Sequence, residues 1–236
     1  CPEDVFRGTG CLSRCNERPV GESGFSRIFS GGPSATSEPP CTPPPGPSSI
    51  TQSEAAITSR TKVLAVSHVE FLNGFRHDMV KLGELCRQRG IMLVVDVTQS
   101  LGVIPVDAGA WGADVVAAHG YKWLMAMHGI AALYVSESAM DRIQPTVPGR
   151  SSVLGGFASL DFALDWHPDA RRYQSGGPNW TGAAAVAASL SLTEEIGIQV
   201  AGAQALAVSQ YLLRELEALP VTLMTAGASQ SITARQ

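Results

Sequence analysis

Between Lys62 and Val95 the chain carries two short apolar runs on either side of a capped amphipathic stretch, and that order admits few folds. Lys62-Val63-Leu64-Ala65-Val66-Ser67 reads as a short strand. Asn73-Gly74 marks a turn. Asp78 is placed to cap a helix, in which Met79, Leu82, Leu85 and Cys86 fall on one face. Gly90 closes that helix, because a glycine accepts the left-handed conformation needed just past the last turn. Ile91-Met92-Leu93-Val94-Val95 comes next, apolar at every position, as in a strand of a sheet covered on both faces. Strand, helix and strand in this order predict a right-handed βαβ unit with parallel strands.

A third strand is expected over Ala113 to Ala118 and a fourth over Ile130 to Val135. The link between them is too short for a crossover helix, so this pair is expected to be antiparallel neighbours. Thr181 to Ile196 reads as an Ala-rich helix with a buried face, and Val200 to Leu219 as a second long helix ended by Pro220. The fold class is α/β, with a mostly parallel sheet and helices on both of its faces.

Residues 1–50 differ in kind. Gly, Pro and Ser dominate, as in Cys41-Thr42-Pro43-Pro44-Pro45-Gly46-Pro47-Ser48-Ser49. Proline fixes φ and lacks the N–H, so neither helix nor sheet is expected there, and the segment reads as disordered. Residues 51–199 form the expected large domain, and 200–236 a linking helix with the start of a smaller one. The 236 residues are 44% hydrophobic, enough for a sizeable core. The net charge of -4 comes without a basic block, which argues against a nucleic-acid partner. No apolar run is long enough to span a bilayer, and no charged-then-apolar leader opens the chain at Cys1, so a cytoplasmic protein is expected. The five cysteines do not read as a disulfide framework. Cys11 and Cys15 have no second pair and no nearby histidine, so no metal site is expected. Cys86 belongs to the core face of its helix.

Two side chains carry chemistry. Asp96 ends the second strand, in Val95-Asp96-Val97-Thr98-Gln99-Ser100. Ligands of open α/β sheets sit beyond the carboxyl ends of strands, so a carboxylate there either faces a ligand or caps the next helix. Lys122 lies just past the third strand, in His119-Gly120-Tyr121-Lys122-Trp123-Leu124, without charged neighbours. A lysine in an apolar pocket loses its proton more easily and can form a Schiff base. Asp96 and Lys122 are expected at the same end of neighbouring strands. A carboxylate there suits a protonated pyridine nitrogen, and an amine suits an aldehyde.

These residues are part of a wider match. From about Ala56 to Leu219 the chain resembles the class V aminotransferase superfamily of fold-type I pyridoxal-phosphate enzymes. The resemblance rests on Ser67-His68-Val69, Asn73-Gly74, Val95-Asp96 with Gln99-Ser100-Leu101-Gly102, Gly120-Tyr121-Lys122-Trp123-Leu124, and Ser175-Gly176-Gly177-Pro178-Asn179 with Gly182. It implies a pyridoxal-phosphate enzyme acting on an amino acid, of the aminotransferase or lyase/epimerase type, and a homodimer. It also implies a transferase-like large domain that is incomplete at its N-terminal side. By the same resemblance, Lys122 forms the internal aldimine and then moves protons at the substrate α-carbon. Asp96 pairs with the pyridine nitrogen, Gln99 hydrogen-bonds the ring's phenolic oxygen, and His119 and Tyr121 stand where phosphate contacts lie.

The chain departs from the family pattern at several positions. Ser and His are frequent where it has His119 and Tyr121. Phe71 replaces an Asn near the ring and is placed to pack against the cofactor. Gly177 replaces a Thr that reaches a phosphate in the partner subunit. The family's upstream phosphate loop and stacking aromatic have no counterpart in residues 1–50. The substrate-carboxylate Arg and the nucleophilic Cys of desulfurases belong to a C-terminal region that this chain does not match. A degenerate, non-catalytic relative that keeps the fold as an interaction module is therefore the alternative. A nucleotide-binding dehydrogenase would need Gly-x-Gly-x-x-Gly between strand and helix, and Gly8-Thr9-Gly10 follows no strand and lacks the third glycine.

Overall fold

The computed structural model describes residues 7–8, 49–71, 74–156 and 164–221. A five-stranded sheet has the order β1 (Arg7–Gly8), β2 (Val63–Ser67), β3 (Met92–Asp96), β4 (Val115–His119) and β5 (Ala131–Val135). The first four strands are parallel, and β5 runs antiparallel to β4 over five residue pairs, from Val115↔Val135 to His119↔Ala131. The short β4–β5 link thus does what its length requires.

Helix α1 covers Ser49–Ala56, and α2 covers Met79–Arg89. Both expected caps of α2 are in place. The Asp78 side chain accepts from the Lys81 N–H, and Gly90, at φ 64°, donates to the Arg87 and Cys86 carbonyls. Met79, Leu82, Leu85 and Cys86 are buried. Met79, Leu82 and Cys86 meet Leu64, Val66, Leu93, Val95, Val116 and Ala118 from one face of the sheet, and Trp111 from the short helix α3 (Ala108–Trp111). Leu82, Leu93, Val95 and Val97 are wholly buried, each contributing about 1.5–3 kcal/mol. On the opposite face Val63, Ala65, Val94, Val115 and Ala117 are half-buried.

Three expectations need correction. Arg7–Gly8, inside the segment expected to be unstructured, adds a two-residue parallel strand beside Leu64 and Ala65. Neither residue is a proline, so both keep the backbone donors that an edge pairing uses. Ser49 and Ile50, also inside that segment, belong to α1, and no proline follows Pro47 before Pro105. The remainder of the expected disordered stretch, residues 1–6 and 9–48, lies outside the described residues, as do Asn73 of the expected turn and the C-terminal residues 222–236. Gly74 does show the turn's positive φ, 68°.

The third correction concerns α5 (Trp180–Ile196), which is followed by α6 (Ile198–Glu217). The expected buried face of α5 is largely open. Only Gly182 and Ser189 are buried, whereas Trp180, Leu190, Leu192 and Ile196 are exposed. An Ala-rich helix approaches its neighbours through small residues, and the buried Gly182 sits where a Cβ would come within 2.9 Å of Ile130. A four-residue helix α4 (Glu137–Met140) and a 3-10 turn at Ala170–Tyr173 complete the described elements. Among the described residues, no single helix is long and apolar enough to cross a membrane.

Candidate active site at the carboxyl edge of the sheet

Strands β2, β3 and β4 end together, with Ser67 opposite Asp96 and Asp96 opposite Ala117. The chain then turns sharply after each of them. Beyond β3, the Val97 N–H extends the ladder to the Ala117 carbonyl, after which the backbone reverses. Asp96 Oδ1 accepts the Thr98 N–H at 2.7 Å, so this aspartate does cap the turn after its strand. The side chain nevertheless remains exposed at the sheet edge, and its hydrogen bond among the described residues uses one oxygen of two. Gln99, half-buried, sits in the middle of the same turn.

Thr98 ties this turn to the next strand. Its Oγ1 accepts the His119 N–H at 3.1 Å, at the very end of β4. A second tie lies four residues on. Gly102 has φ 105°, and a Cβ there would come within 2.5 Å of the Trp123 carbonyl oxygen. The backbone after the Asp96 turn therefore presses directly on the backbone of the Lys122 loop, which only a glycine permits.

Lys122 stands in the tight connection from β4 to β5. Gly120 N–H donates to the Ile130 carbonyl, Ala126 N–H to Gly120, and Met125 N–H to Lys122. Met125 takes a left-handed φ of 50° to complete the turn. The half-buried Lys122 places Nζ 5.8 Å from the centroid of the Tyr121 ring, within reach of a cation–π attraction. Tyr121 stacks on His128, with centroids 4.4 Å apart and 22° between planes, and lies 5.5 Å from His119. The apolar pocket expected around Lys122 is only partly formed. Tyr121, Trp123, Met125 and Met127 are all exposed, because a tight loop at a sheet edge turns alternate side chains outward.

Phe71 lies on the excursion beyond β2, which is closed by the Val69–Arg76 bridge, and its ring is 79% exposed. Asn179 joins a distant segment to the Lys122 loop. Its Oδ1 accepts the Gly182 N–H at the start of α5, and its Nδ2 donates to the His128 carbonyl. Gly177, two residues earlier, is exposed.

Sequence reasoning missed three participants. Thr98 and His128 gave no signal, because a hydroxyl in a turn and a histidine before a glycine are common. His68 was noticed only within a motif. It is buried, and its Nδ1 lies 2.9 Å from Ser100 Oγ. Burial, with Arg76 and His77 nearby, lowers its pKa to about 4. Cys86, also buried, has its thiol pushed up to about 11, chiefly by desolvation.

A mostly parallel α/β sheet with an acid, an amide and a lysine on adjoining turns at its carboxyl edge is the layout of a fold-type I enzyme domain. The aminotransferase class-V family model matches residues 43–234, and the chain belongs to that family, whose members are pyridoxal-phosphate-dependent enzymes. An uncharacterized aminotransferase of Bacillus subtilis, YcbU, is 35% identical over 149 residues, which are 63% of this chain and 39% of that protein. A probable cysteine desulfurase of Pyrococcus abyssi is 33% identical over 137 residues, 58% of this chain and 33% of the relative. Among solved structures, the apo cysteine desulfurase of Thermococcus onnurineus is 29% identical with a TM-score of 0.66, covering 73% of this chain and 42% of that one. A C-DES mutant with glycine covalently linked to its pyridoxal-phosphate cofactor shares the fold at a TM-score of 0.68 and 21% identity, over 77% of this chain and 49% of that one. The chain thus spans less than half the length of these four relatives.

Proposed function

We propose that this chain is the cofactor-holding part of a pyridoxal-phosphate enzyme acting on an amino acid, of the aminotransferase or lyase/epimerase type. The observation that carries the reading is the double tie between the Asp96 turn and the Lys122 loop, through Thr98 to His119 and through Gly102 to Trp123. It supports a single site built from two motifs that lie far apart in sequence.

The donor set fits the group. Asp96 has one carboxylate oxygen engaged by Thr98 and offers the other to a protonated ring nitrogen. Gln99 presents an amide to a phenolic oxygen, and Tyr121 and His119 supply phosphate donors. Phe71 is the apolar neighbour of the ring. Bound pyridoxal phosphate supplies an aldehyde for amines and a cationic ring that draws electrons from the substrate α-carbon. Lys122 is the residue that would hold that aldehyde, and its amine would carry the proton to or from the substrate α-carbon. Asp96 would pair with the ring nitrogen and favour its protonated form. Asn179, anchored to the Lys122 loop through the His128 carbonyl, and Gly177, two residues before it, are the residues through which a second copy of the chain would complete the site, so the enzyme is a homodimer.

The test is reduction with borohydride in the presence of pyridoxal phosphate, followed by digestion and mass mapping. The chain has three lysines, Lys62, Lys81 and Lys122, and Lys81 is paired with Asp78 at 2.9 Å. Label confined to the Lys122 peptide, and lost in Lys122→Ala, is the expected result. Even labelling of the three lysines would overturn the reading in favour of a non-catalytic relative, which the exposure of Tyr121, Trp123, Met125 and Met127 favours.

A further inference from the structure

His68 follows β2 directly, below the turn that carries Asp96 and Gln99. Three interactions fasten it. Its N–H donates to the Asp96 carbonyl at 2.8 Å, and its own carbonyl accepts from His77. Its ring Nδ1 meets Ser100 Oγ at 2.9 Å. Ser100 is wholly buried, and its hydroxyl proton is directed to the Val97 carbonyl at 3.2 Å. That carbonyl already receives the N–H groups of Ser100 and Leu101 at 2.9 and 2.8 Å. A hydroxyl has a single proton to give; placed on the Val97 carbonyl, it leaves the Ser100 oxygen to accept from the imidazole. In that arrangement Nδ1 carries the hydrogen, and the neutral ring is the Nδ1–H tautomer.

The Asp96-to-Ser100 turn is thus clamped at both ends. At the near end His68 holds the Asp96 main chain. At the far end its ring holds Ser100, which closes the turn on Val97. Between these points lie the Asp96 carboxylate, Thr98 and Gln99. We propose that His68 is a positioning residue of the candidate active site, a buried neutral donor that fixes the Asp96–Ser100 turn and thereby the direction of the Asp96 carboxylate and the Gln99 amide. The proposal rests on the pyridoxal-phosphate reading for its consequence and on hydrogen bonding alone for its mechanism. The low pKa, about 4, keeps the ring uncharged at neutral pH. Trp111, with its ring centroid 4.7 Å from that of His68, walls the imidazole against the core.

The substitutions that discriminate are His68→Asn and His68→Leu in the full chain. The Asn side-chain amide reaches the place of Nδ1–H and can still donate to Ser100. Leu fills the volume but cannot donate. Long-range nitrogen–proton NMR of the parent should show Nδ1 protonated and unchanged from about pH 5.5 to pH 8. In His68→Leu, amide exchange at Thr98 and His119 should quicken by about tenfold or more, as a lost buried hydrogen bond implies, and should return to within about threefold of the parent in His68→Asn. Retention of pyridoxal phosphate, read by visible absorbance on dialysis, should follow the same order. An Nε2–H tautomer, or equal exchange in both variants, would overturn the proposal. If the parent retained no cofactor while the exchange pattern held, the enzyme reading would fall and the clamp would stand. Should His68→Leu not fold, the tautomer and the His68→Asn exchange data decide alone.

Discussion

The backbone N–H of His119 reaches 3.1 Å across the sheet edge to Oγ1 of Thr98, two residues beyond Asp96. Thr98 is buried, and removing its hydroxyl takes away the acceptor it offers the His119 N–H. The expected cost of Thr98→Val is about 1–3 kcal/mol. Urea unfolding measures it. Thr98→Ser, which keeps the acceptor, should lose clearly less, and equal losses would mean that methyl packing, not the bond, matters at this position.

Asp96 ends a buried strand with its carboxylate exposed. Asp96→Ala removes the acceptor for the Thr98 N–H and the proposed partner of the ring nitrogen together. Asp96→Asn keeps an acceptor for Thr98 and loses the charge. In a complete version of the enzyme both variants should lose turnover. In this chain only Asp96→Ala should lower the unfolding midpoint. Turnover at the parent rate by Asp96→Asn would refute the electrostatic role.

His68 gives the fold a pH dependence of known sign. Its pKa falls from 6.5 to about 4 on folding. Above pH 6.5 the ring is neutral in both states. As pH falls below that value the unfolded chain takes up the proton first, so stability is lost progressively down to about pH 4. The loss from this one group is of the order of 3 kcal/mol. Denaturation at several pH values should show His68→Asn with a shallower acid limb than the parent. Parallel curves would mean that the carboxylates account for the whole slope.

Much of the framework was legible because it follows from local rules. Asp78, the spaced apolar residues and Gly90 describe α2 within its own sequence. The short link between β4 and β5 fixes their direction without reference to anything else. Asp96 and Lys122 could be placed at one edge for the same reason, since both end or follow strands. What escaped depends on contacts between distant residues. Thr98 and His119 are 21 positions apart, and His68 and Ser100 are 32 apart. Neither pair differs in type from polar residues that make no contact at all. The open face of α5 escaped too, because periodicity describes an apolar stripe and does not say whether anything covers it. Arg7–Gly8 is too short to leave any pattern.

Gly83 offers the sharpest test of the packing that supports the site. In an ordinary helix interior, Gly→Ala stabilises by about 0.5–1 kcal/mol, because glycine loses more backbone freedom on folding. Gly83 is in the middle of α2, so propensity alone favours the substitution. The structure reverses that sign. A Cβ on Gly83 would fall 1.7 Å from the Trp111 carbonyl oxygen, a backbone atom at the end of α3. Backbone cannot rotate away as a side chain can, so α2 or α3 must move. Trp111 packs on His68, so the displacement reaches the Asp96 turn through the clamp. Gly83→Ala should therefore destabilise by about 1–3 kcal/mol or more, as overpacking does. Amide exchange at Thr98 should quicken with it. Gly90→Ala is the control, since nothing lies within 4 Å of its added methyl and only the strain of φ 64° is incurred. It should lower stability by about 1 kcal/mol without altering exchange at Thr98. A stabilised Gly83→Ala chain would show that α2 and α3 do not make this contact.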